Sequence, residues 1–133
     1  MRLAPLLRLI VLLLLAFTAG CLSENKGKIE GTRWRSEAGT VQRKGNALSG
    51  PSSIRVPEGY MELDFHKDGS LYYIVRGKIY TGKYTLGAGR AVTLHLDEAV
   101  AGLKTHTETV VIQGNRLTMT DTDGTELSFI KQP

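Results

Sequence analysis

The sequence predicts an all-β domain, an antiparallel up-and-down barrel of about eight strands, and three observations carry that expectation. Apolar and polar residues alternate with period two along most of the chain after residue 29. Short glycine-bearing sequences of turn type separate the alternating segments. The strands so defined follow one another with no helix to cover them, and a sheet that long is expected to curl and close on itself.

The elements can be justified in order from the N-terminus. The apolar run from Leu9 to Ala19 stands behind Arg2 and Arg8. It is too short for a membrane-spanning helix, which needs roughly 20 residues, and fits the apolar region of a secretory signal. Residues 1–20 are therefore expected to be a signal peptide. An ordinary secretory signal with an incidental cysteine and an uncleaved anchor are the alternatives. The only cysteine, Cys21, closes the stretch FTAGC, which resembles the lipobox of bacterial lipoproteins. The resemblance covers the first two dozen residues. It implies a lipid on the Cys21 thiol, cleavage just before that residue, and acylation of the new amine with a fatty acid such as palmitate. A single cysteine exported to an oxidising compartment has no intramolecular partner, and acylation would dispose of the free thiol. Each buried methylene contributes ~0.8 kcal/mol, so two or three acyl chains anchor stably where one does not. The expected partner of this end of the chain is a membrane. Leu22 follows the cysteine, where an aspartate would resemble an inner-membrane retention signal. The expected location is thus the cell envelope, on the outer membrane facing the periplasm if the source is Gram-negative.

Loss of residues 1–20 changes the charge. Two of 17 basic residues leave and all 13 acidic residues stay, so the net charge falls from +4 to +2. The basic residues are scattered from Lys26 to Lys131, whereas nucleic-acid binding wants a concentrated basic face; no nucleic-acid partner is expected. About 113 residues remain, enough to bury one core.

Residues 21–28 are small and polar without periodicity, as in a tether, and residues 29–133 are expected to form the barrel domain. A first strand surrounds Trp34. The stretch 36–59 is rich in glycine, serine and proline, has the length to lie over one mouth, and has room for a short strand at 53–56. Beyond it, YMELDFH and AVTLHL alternate plainly. Closing the turns KDG, GK, GAGR and QGN in sequence pairs Phe65 with Leu71, Val75 with Tyr80, Leu86 with Val92 and Val111 with Leu117. The inward set then runs Met61, Leu63, Phe65, Leu71, Tyr73, Val75, Tyr80, Gly82, Tyr84, Leu86, Val92, Leu94, Leu96, Val111, Leu117, Met119, Leu127 and Phe129. Its weak section is THTETVVI, where Thr105, Thr107 and Thr109 would face inward as a polar stripe.

Three segments, EGTRWRS, YTGKYTL and VIQGNRLTMTDTDGTELSFIK, resemble small bacterial lipocalin-like domains, whose chain opens with a Gly and Trp and closes on a strand ending in a basic residue. The resemblance spans about residues 29–131 and implies a barrel that holds a small apolar ligand. Trp34, Tyr73 and Tyr84 are then the candidates to touch such a ligand.

Three pairs spaced by two, Asp64 with His66, His95 with Asp97 and His106 with Glu108, place both side chains on one strand face. A symmetric hairpin around Val100 and Ala101 would set His95 opposite His106, a donor set suited to zinc or copper. By the register above these residues project outward, as a solvated face, so no metal or other cofactor is expected. No nucleophile elbow, zinc-protease helix or phosphate loop is present, and no catalysis is expected. Two classes remain. One is a loop-mediated binding or interaction module for an unknown envelope protein, favoured slightly because large inward side chains can fill an eight-stranded barrel. The other is a carrier of a small apolar ligand in the interior.

Overall fold

The structure is a computed structural model that describes residues 22–43, 48, 50 and 52–133. The expected signal peptide and Cys21 lie outside the described residues. The described residues form ten strands in chain order: β1 Thr32–Ser36, β2 Gly39–Arg43, β3 Ser52–Val56, β4 Met61–Phe65, β5 Ser70–Val75, β6 Lys78–Leu86, β7 Ala91–Val100, β8 Leu103–Gln113, β9 Arg116–Thr120 and β10 Glu126–Gln132. Eight of them close an antiparallel barrel in the order β1-β10-β9-β8-β7-β6-β5-β4. Closure removes the unpaired edges that an open sheet would expose. The remaining two, β2 and β3, pair only with each other as a hairpin inserted between β1 and β4. The stretch 36–59 thus contains the short strand expected at 53–56 and a partner for it.

The inward face follows the expected alternation from β4 to β7. Phe65 pairs with Leu71 and Leu86 with Val92. Between β5 and β6 the turn is Arg76-Gly77, with φ of 51° and 79°, so Val75 pairs with Lys78 and Tyr73 with Tyr80. The expected pairing of Val75 with Tyr80 is displaced by two residues. A shift of two leaves every side chain on its face.

β8 departs from the expected register. Gly114 and Asn115 alone make its turn to β9, so Ile112, not Val111, pairs with Leu117. A slip of one residue reverses the strand. Val110 is buried, Ile112 packs on the core, and Thr105, Thr107 and Thr109 are exposed. At the other end of β8 the turn is Ala101-Gly102, φ 51° and 80°, and a bulge in β7 sets Leu96 to Ala99 against Lys104 alone. His95 therefore pairs with Thr105, and His106 with Leu94. The symmetric hairpin that would join the two histidines does not form.

Trp34, Leu63, Phe65, Leu71, Val92, Val110, Leu117 and Phe129 fill one half of the barrel, none more than 1% exposed. The rings of Phe65 and Tyr84 meet edge to face with centroids 5.0 Å apart. Gly82 is obligatory in this half, because a Cβ there would lie 2.3 Å from the His95 carbonyl oxygen. The chain before β1 covers this end. Ile29 is fully buried and Asn25 nearly so; the Asn25 amide donates to the Val110 carbonyl at 3.1 Å, and Arg90 pairs with Glu24 at 3.0 Å. Ser23 bridges to Gly89. The described part of the stretch expected as a tether is accordingly docked on the closed end. Its contacts come from one polar turn, which carries no periodicity to announce them.

Candidate functional site at the open end of the barrel

Strand direction places the β2–β3 hairpin and the turns Arg76-Gly77, Ala101-Gly102 and 121–125 at the end opposite Asn25 and Ile29. Here the interior is not filled. A cavity of about 630 Å³ lies under Val41, Ile54 and Val56 of the hairpin, with Met61, Tyr73, Val75 and Leu127 on the barrel walls. The hairpin holds its place because Val41 and Val56 alternate with polar neighbours and turn inward, 7% and 6% exposed.

The reversed face of β8 contributes His106 and Glu108 to this cavity. Glu108 is 9% exposed, opposite buried Val92, and its Oε2 has no hydrogen-bond partner. Burial, reinforced by the charge of Asp121, raises its carboxyl pKa to about 7. Burial also pushes the Tyr73 phenol well above its ordinary range, with Glu108, Tyr60 and Tyr80 adding to the shift. Asp121 is fixed by its own loop: one carboxylate oxygen accepts from the backbone N–H groups of Asp123 and Thr125, each at 2.9 Å. His106 Nε2 lies 2.9 Å from the Leu103 carbonyl oxygen. That oxygen can only accept, so Nε2 carries a proton. The Arg76 guanidinium stacks over the Tyr60 ring, 5.2 Å from its centroid. Among the described residues neither lysine nor arginine lines the cavity.

Of the residues the sequence nominated, Tyr73 lines the cavity and Trp34 and Tyr84 do not. Trp34 is 1% exposed and its indole N–H donates to Thr32 Oγ1 at 2.7 Å; the Tyr84 hydroxyl donates to the His66 carbonyl at 2.6 Å. Both belong to the packed half. His106 and Glu108, expected on the solvated outer face, are inside. The three inward threonines were the sign available in the sequence, since the alternative register exchanges them for Val110 and Ile112 at the expense of one carboxylate. The other pairs stay outside: His66 Nε2 approaches Asp64 Oδ2 at 3.3 Å, and Thr81 donates to Asp97 at 2.8 Å. Among the described residues no group of three or more His, Cys, Asp or Glu side chains is placed to share a metal ion.

No family model matches the chain, and no curated protein matches it. Among solved structures it is similar to a DUF4847 family protein from Bacteroides vulgatus ATCC 8482, with a TM-score of 0.52 and 10% identity over 79% of this chain and 95% of that one. At that identity the likeness is one of architecture: the chain shares its fold with the DUF4847 protein, and no site residue is carried across.

Proposed function

We propose that this chain is an exported lipoprotein, held in the cell envelope through Cys21, whose barrel binds a small amphipathic molecule at its open end and performs no chemistry on it. The observation that carries this reading is the division of the interior. One half is packed by Trp34, Phe65 and Phe129. The other keeps a cavity of about 630 Å³ beneath the β2–β3 hairpin, within the size range of small-molecule sites. Apolar walls with a few convergent polar groups are what such sites use to hold and orient a ligand. Native mass spectrometry of the purified full chain should show a small molecule that leaves on denaturation, and an apolar fluorescent dye should compete with it. Neither a bound mass nor saturable dye binding is the result that overturns the reading.

A second reading keeps the same mouth but gives it a protein partner in the envelope. Ile54 and Leu103 favour it, standing 40% and 59% exposed at the rim of the cavity. Replacing both with serine separates the two. A protein partner would be lost, whereas a ligand held deeper, against Tyr73 and Glu108, would be retained.

A further inference from the structure

We infer that the molecule bound in the mouth carries a protonated amine on an apolar body, the ammonium lying against Glu108 and the body under the β2–β3 hairpin. This rests on the cavity being a binding site and names the class of its ligand. Among the described residues, the carboxylates outnumber the bases on the lining of the cavity. Glu108, Asp121 and Asp123 line it and, among the described residues, no lysine or arginine does; the one basic side chain described there is His106, its Nε2 proton already given to the Leu103 carbonyl. A fatty acid or other carboxylate would bring a further negative charge into this group.

Glu108 also offers what an ammonium needs. It is 91% buried, 9% of its surface remaining exposed, and its Oε2 accepts nothing from the protein. An isolated buried carboxylate is costly unless paired and hydrogen-bonded, and a donor cation repairs both deficits in one contact. Tyr60 and Tyr73 stand on the same lining, and an aromatic ring near a cation adds to its attraction. Val41, Ile54, Val56, Met61 and Val75 supply no hydrogen-bonding side chain, so the part of the ligand that lies against them is apolar.

Three probes of one shape and different charge test this: tryptamine, tryptophol and indole-3-propionate, titrated calorimetrically into the full chain in a non-ionic detergent at pH 7.5. Tryptamine should bind at least tenfold more tightly than tryptophol, with indole-3-propionate weakest. Glu108→Gln should abolish the advantage of tryptamine over tryptophol. Equal affinities, or indole-3-propionate tightest, overturn the assignment of an amine while leaving the cavity a binding site. The same holds if the tryptamine advantage survives in a folded Glu108→Gln chain. Absence of binding by all three overturns the cavity reading itself. The comparison among probes needs no variant, so it decides even if Glu108→Gln folds poorly.

Discussion

Val92 of β7 stands opposite Glu108 of β8 in the barrel ladder, a fully buried valine facing a carboxylate that has one oxygen without a partner. This juxtaposition ties stability to pH. The Glu108 pKa rises from 4.5 to about 7 on folding, chiefly through burial. Below pH 4.5 the group is protonated in both states and carries no penalty. Between pH 4.5 and 7 the unfolded chain ionises freely while the folded chain holds its proton, so the contribution is lost as pH rises. The loss totals up to roughly 3 kcal/mol from this one group. Urea midpoints at pH 5 and pH 8 should fall apart in the parent and draw together in Glu108→Gln. Equal pH dependence in the two chains would exclude this origin.

The packed half makes a different demand. Phe65 and Phe129 are 1% and 0% exposed, and Phe65 also meets Tyr84 edge to face. Truncating either to alanine should cost ~3 to 5 kcal/mol, because transfer energy and packing are both forfeited. That is a large share of a small domain's stability. Urea unfolding would reveal it, and a loss near 1 kcal/mol at both positions would mean this half is as loose as the mouth.

The cap on the closed end adds a third expectation. Asn25 spans from the chain before β1 to the carbonyl of Val110 deep in β8. Asn25→Ala leaves that buried acceptor short of a donor and should destabilise by about 1 to 3 kcal/mol. A chain starting at residue 29 should lose at least as much as the point variant, since it also lacks the Glu24–Arg90 pair. Thermal unfolding of both variants beside the parent decides, and unchanged midpoints would return residues 22–28 to the role of a passive tether.

The difference between what the sequence shows and what it hides has local causes. The faces of β4 to β7 are legible because Met61, Leu63, Phe65 and Val92, Leu94, Leu96 alternate with polar residues, so even a turn displaced by two residues keeps them inside. In β8 the run Val110, Val111, Ile112 offers apolar side chains to both faces. Pattern alone then does not select the register, and the choice falls to whether QGN closes with two residues or three. The β7 bulge shifts the register between His95 and Val100, so symmetry about the turn does not locate His106. The site residues Glu108 and His106 lie on the strand whose sequence is ambiguous. The lid strand GTVQR holds a single apolar side chain, Val41, too little to set up an alternation.

The last expectation joins the lipid to the mouth. If Cys21 bears acyl chains, only Leu22 separates it from Ser23, which bridges to Gly89 on the closed end. Two residues span at most ~7 Å, so that end lies close to the bilayer surface. β6 and β8 run 9 and 11 residues between the two ends of the barrel, and at ~3.3 Å per residue the mouth lies some 20 Å or more farther from the membrane. The cavity would face away from the lipid. A fluorophore attached at Ala88→Cys, on the closed end, should be quenched by headgroup-labelled lipid in vesicles, and one at Thr122→Cys, on the mouth, should not. Cys21→Ser should abolish both the membrane fractionation of the chain and the quenching at position 88. Equal quenching at the two positions in the lipidated protein would discard the proposed orientation, and incorporation of labelled palmitate into the Cys21→Ser chain would discard the anchor.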